Sequence, residues 1–126
     1  MSRAGKNILR CERGSTAVEF GFVLIPLVLL LLGAMEFGRA MWVQNALNYS
    51  VEQAARCASI NATSCGTTQN TQTFAAAAAG AGFTSSVFTV TNSGGCNTVT
   101  ASYPFTINVP FVSRSITLTA QSCYPS

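Results

Sequence analysis

From Phe20 to Met35 the chain runs without a charge, its apolar side chains interrupted only by Gly21, Pro26 and Gly33. A helix of that length covers about 24 Å, slightly short of the ~30 Å hydrocarbon core of a bilayer. Including Ser15 to Val18 completes a span, and Glu36 and Arg39 then reach the outer interface, free to snorkel or to pair at i, i+3, with Met41 and Trp42 as the interfacial anchor. At the other end stands Glu19, a carboxylate where the membrane should begin. An ionisable side chain costs about 2.5 to 3.5 kcal/mol at the bilayer centre and less near an interface, so Glu19 calls for a functional reason.

The apolar run withdraws hydrophobic content from any soluble core, which in a chain of 126 residues must be modest. The formal charge of +3 is concentrated ahead of the run, in Arg3, Lys6, Arg10 and Arg13 against Glu12. Beyond it, Arg39, Arg56 and Arg114 balance Glu19, Glu36 and Glu52. That asymmetry is a topology signal for a cytoplasmic N-terminus and not a nucleic-acid footprint. His and Asp are absent and Lys6 is the sole lysine, so the sequence holds no catalytic triad, no His-based zinc site and no lysine-activated serine in the later domain. No enzyme, cofactor or metal is expected.

Past Trp42 the helical period continues. Val43, Leu47, Val51, Ala54, Ala55 and Ala58 share one face, and Gln44, Asn48, Glu52 and Arg56 form the opposite stripe, with Glu52 and Arg56 at the favourable i, i+4 spacing. One helix from about Thr16 to about Ser59 is expected, its outer half needing cover from the rest of the chain. Asn61 to Asn70 has loop composition, and Phe74 to Ala79 reads as a short, closely packing helix stopped by Gly80 and Gly82. Val87–Thr91, Thr98–Tyr103, Phe105–Val109 and Ile116–Ser122 read as strands, Asn92 to Gly95 as a hairpin loop, and Pro104 as an edge or a bulge. Ile116, Leu118 and Ala120 mark a buried face, Thr117, Thr119 and Gln121 a wet one.

The fold expected is α+β: a long N-terminal transmembrane helix continuing into an amphipathic helix packed on a small antiparallel sheet. Its parts are a basic leader over residues 1–14, a transmembrane helix over 15–40, an amphipathic extension over 41–60 and an exported domain with disulfides over 61–126. Cys11 lies in the leader, while Cys57, Cys65, Cys96 and Cys123 form an even set in the exported part. Three connectivities are possible. Strand alternation puts Cys96 and Cys123 on the faces opposite their strands' apolar residues, near one end of a shared hairpin, which favours Cys96 with Cys123 and leaves Cys57 with Cys65.

Residues 13 to 47, R-G-S-T-A-V-E-F-G-F-V-L-I-P-L-V-L-L-L-L-G-A-M-E-F-G-R-A-M-W-V-Q-N-A-L, resemble the TadE-like pseudopilin family of the tight-adherence secretion system. The resemblance implies cleavage by a prepilin peptidase between Gly14 and Ser15, which makes Glu19 the fifth mature residue and Phe20 its neighbour in the processing and assembly motif. It further implies a minor pseudopilin in assembly of Flp, type IVb pili, with other pseudopilins, pilin subunits and the inner-membrane secretion platform as partners. The expected location is the bacterial inner membrane, in contact with lipid, with the C-terminal domain periplasmic or extracellular. Two other readings are an ordinary signal peptide, for which Gly38-Arg39-Ala40 is a poor cleavage site, and a single-pass anchored domain that binds an envelope partner through its threonine-rich face.

Overall fold

The computed structural model describes residues 12–126; the leader up to Cys11 lies outside the described residues. Helix α1 spans Glu12–Ile60 and runs through Pro26. The chain divides into two units, the first ending at Met35 and the second beginning at Glu36. Along the first, Val18 to Met35 expose their large apolar side chains on every side. An 18-residue window of the helix reaches a mean hydropathy of 2.4 with none of it buried. A helix apolar all round is compatible with a single-pass membrane anchor.

The second unit is built on a meander. Strands β1 (Phe88–Ser93), β2 (Cys96–Val109) and β3 (Val112–Pro125) form an antiparallel sheet in the order β1-β2-β3. Alternation along β2 buries Val99, Ala101 and Phe105, and these meet Val43, Leu47, Val51, Ala54 and Ala55 of α1 in one core. Helix α3 (Thr68–Ala79) adds Ala75 and Ala79 to that core, and Phe88 is the largest side chain wholly enclosed by it. The fold is α+β. Ser50 shares the buried face of α1 because its hydroxyl donates to the Leu47 carbonyl at 2.8 Å, which leaves no unsatisfied donor.

Three expectations change. Residues 61 to 70 are not a loop: they hold α2 (Ala62–Cys65) and the first turn of α3. The Asn and Thr that read as loop are N-caps, Asn61 Oδ1 accepting from Ser64 N at 3.1 Å and Thr67 Oγ1 from Asn70 N at 3.2 Å. The two middle strands are one. β2 passes through Pro104 in unbroken register, Pro104 opposite Thr117, so there is no bulge; β1 pairs only as far as Ala101, so β2 is a sheet edge on that side at Pro104. Finally, the buried face of β3 fades toward the turn: Ala120 is buried and Leu118 half-buried, but Ile116 is 40% exposed.

Both hairpin turns are two residues long. Gly94 and Gly95, with φ of 65° and 76°, join β1 to β2 as a type I′ turn requires. Pro110 and Phe111 join β2 to β3. Phe111 has φ 74°, the position a type II turn normally gives to glycine, and its side chain is 97% exposed. A side chain in left-handed conformation costs about 1 to 2 kcal/mol. Truncating a buried phenylalanine costs about 3 to 5 kcal/mol, but Phe111→Gly is expected to leave stability unchanged or raised by up to about 1 kcal/mol. Urea unfolding of the full chain in detergent measures it, and a clear loss would show that Phe111 supports the fold.

Candidate functional site

Gly14, Ser15, Glu19 and Phe20 all lie in the first turns of α1, and Gly14, Glu19 and Phe20 are exposed. Glu19 lies four residue steps along the helix from Ser15, a rise of about 6 Å, or about one turn. Glycine inside a helix costs about 1 kcal/mol relative to alanine, so Gly14 is a weak point where the helix can be opened.

The second unit presents no catalytic constellation. Among the described residues no group of His, Cys, Asp and Glu is arranged to hold a metal. A cleft of about 320 Å³ between α1 and the end of β3 is lined by Asn48, Glu52, Arg56, Gln121 and Tyr124 among others. Glu52 and Arg56 do not close the expected ion pair; the ion pair among the described residues is Glu36 with Arg39, at 3.1 Å. An exposed i, i+4 pair contributes only about 0.3 to 0.5 kcal/mol, too little to hold two long side chains in one geometry. The Arg39 guanidinium also sits 5.0 Å from the centre of the Phe105 ring, so the residue that pairs with Glu36 is attached to β2 as well.

Disulfides join Cys57 to Cys65 and Cys96 to Cys123, with Cα atoms 5.8 Å and 5.9 Å apart. The first ties the end of α1 to α2. The second joins β2 to β3 diagonally, since Cys123 lies opposite Thr98 and Cys96 opposite Pro125, on the face away from the core. That outer face is threonine-rich, with Thr89 paired to Thr100, Thr91 to Thr98, Ser102 to Thr119 and Thr106 to Ser115.

Residues 14–56 match the family model of TadE-like protein. That segment is similar to the TadE-like family. The resemblance carried by residues 13 to 47 is thus borne out, and the match opens at Gly14 and extends along α1 to Arg56. The TadE-like family is a structural, non-enzymatic family of the tight-adherence pilus, and the similarity covers about a third of this chain. Comparison with curated proteins and with solved structures gives no match.

Sequence reasoning missed the polar links between the TadE-like helix and the sheet. Gln44, assigned to the wet stripe, donates to the Thr119 carbonyl at 2.9 Å, Ser59 to the Tyr124 carbonyl at 3.2 Å, and Asn97 to the Ser59 hydroxyl at 3.0 Å. Their only signal was the interruption of charged residues by short amides and a hydroxyl along α1, which periodicity does not separate from a solvated face. Phe111 was also missed: Pro110 marks a turn in the sequence, but the two-residue length that puts Phe111 in left-handed conformation follows from the pairing of Val109 with Val112.

Proposed function

We propose that this chain is a minor pseudopilin, cleaved by a prepilin peptidase between Gly14 and Ser15, that acts in assembly of tight-adherence Flp, type IVb pili. One observation carries the reading: the TadE-like match opens at Gly14, five residues before a carboxylate at the head of an exposed apolar stretch of helix. Glycine lets the backbone enter a peptidase site in extended form, and its low helix propensity eases the unwinding this requires. Cleavage removes the basic leader and leaves an α-amino group on Ser15. The helix from Ser15 to about Ala40 then spans the inner membrane with its N-terminus cytoplasmic, and residues 41–60 and 61–126 form the exported part, in contact with other pseudopilins, pilin subunits and the secretion platform. Gly21, Gly33 and Ala34 give points of close approach to other such helices.

The signal-peptide reading fits less well. A cut near Met41 would detach Arg39 from Phe105 and remove Ala40 from the edge of the core.

Mass analysis of the N-terminus from membranes tests the proposal. It is expected at Ser15, and Gly14→Val is expected to accumulate as uncleaved precursor, because a branched side chain obstructs the extended site. An N-terminus near Met41, or normal processing of Gly14→Val, would overturn it.

A further inference from the structure

The contacts between α1 and the sheet fix which way the β2–β3 hairpin points. Ser59 meets Tyr124, Gln44 meets Thr119, and Arg39 lies on Phe105, whose partner across the hairpin is Ile116. Descending α1 from Ser59 toward Glu36 therefore means advancing along the hairpin toward its turn. From Phe105 the strand continues to Val109 at about 3.3 Å per residue, carrying the turn about 13 Å farther. From Arg39 to Glu36 the helix rises only about 4.5 Å. The turn thus lies at the Glu36 end of this unit.

Its chemistry is that of an interface. Val109, Pro110, Phe111 and Val112 are consecutive and apolar, with Phe111 97% and Val112 52% exposed. Directly behind them Ser113 donates to Asn108 Oδ1 at 3.0 Å, and Arg114 follows, exposed. Arg114 is the one residue among Asp, Glu, Lys and Arg after position 60, so the hairpin carries a cation with no acid on its own strands. An apolar tip backed by an uncharged polar pair and an arginine matches the order of acyl chain, glycerol and phosphate met on leaving a phospholipid leaflet. Phe111 in left-handed conformation at full exposure has no packing role within the fold to justify it.

We propose that the Val109–Val112 turn is a second membrane contact, seated in the phospholipid interface beside the helical anchor with Arg114 at the level of the phosphates. It rests on the anchored reading of α1. Docked at two points, the exported domain would be held at a fixed orientation on the bilayer rather than swivelling on one helix.

The full chain in phosphatidylethanolamine and phosphatidylglycerol vesicles with brominated acyl chains tests this. In a Trp42→Phe background, Phe111→Trp reports the turn, Phe22→Trp the apolar span and Thr100→Trp the outer sheet face. Seating about 5 to 10 Å into the headgroup–acyl boundary is expected to cost the indole of Phe111→Trp about half its emission, as bromines quench it there. Phe22→Trp should be quenched at least as strongly and Thr100→Trp hardly at all. Quenching of Phe22→Trp without Phe111→Trp would overturn the second contact and leave the anchor standing, including the case where the turn docks on protein. Quenching of neither would remove the anchored reading and this inference with it, and equal quenching of Thr100→Trp would overturn a contact specific to the turn.

Discussion

Glu19→Gln is expected to enter the membrane and to be cleaved at wild-type levels, yet to be lost from assembly complexes and to lower surface pilus yield severely. Insertion should not suffer, because replacing a carboxylate with an amide at the head of a spanning helix lowers the transfer cost. Cleavage should not suffer if the peptidase reads the backbone around Gly14. What the variant lacks is an anion. Two unit charges 4 Å apart attract by about 1 kcal/mol in water and about 4 kcal/mol at an effective dielectric of 20, so a pair formed at the membrane between Glu19 and a neighbouring subunit's new amino terminus gains what an exposed pair would not. Glu19 also stands only one turn from Ser15 of its own chain, so mixing subunits separates the two cases. Glu19→Gln chains that regain assembly when wild-type copies of this chain are co-expressed would indicate pairing between subunits. Precursor-to-mature mobility and co-purification must be read in the same strain, and wild-type levels of both would reduce the motif to a peptidase signal.

What was legible in the sequence is what simple periodicities write. The apolar run, the face from Val43 to Ala55 and the period-2 strands each appear because burial imposes one repeat on many residues. Single hydrogen bonds impose none. Asn61 and Thr67 read as loop residues since the same oxygen that breaks a helix in its interior starts one at its N-cap, and composition does not say which. Pro104 was read as an edge or a bulge, and of the two it is an edge; the strand it interrupts in sequence is continuous in space, because only the β1 side of β2 lacks a partner there. Gln44 crosses to the sheet through a backbone carbonyl, and a carbonyl leaves no trace in side-chain pattern. The TadE-like motif was legible because it is local, confined to residues close in sequence. The sheet lies beyond the matched residues and had to be read from alternation alone.

Removing both disulfides is expected to unfold the domain after Glu36 at growth temperature while leaving the spanning helix inserted. The reason is the composition of the core. Its largest wholly buried side chains are Phe88, Leu47, Val51 and Val99, followed by Thr71 and Ser50, and much of the remainder is alanine. Each large aliphatic or aromatic residue contributes about 1.5 to 3 kcal/mol on burial, and here there are few of them. The cross-links act instead on the unfolded chain. Cys57 and Cys65 are separated by 8 residues and Cys96 and Cys123 by 27, for which loop-closure entropy gives about 2.5 and about 3.5 kcal/mol. The loops do not overlap, so the losses should add to about 6 kcal/mol, against a net stability of about 5 to 14 kcal/mol for a domain this size. Cys57→Ala with Cys65→Ala should therefore cost less than Cys96→Ala with Cys123→Ala, even though the first pair is the more deeply buried in the core and the second lies on the outer face of a hairpin already held by its register. Urea midpoints in detergent decide the order. If the Cys57–Cys65 pair proves the costlier, its work is in the native state, in fixing α2 and the Thr71 hydroxyl that donates to the Cys65 carbonyl at 3.1 Å, and the entropic account of this small domain fails.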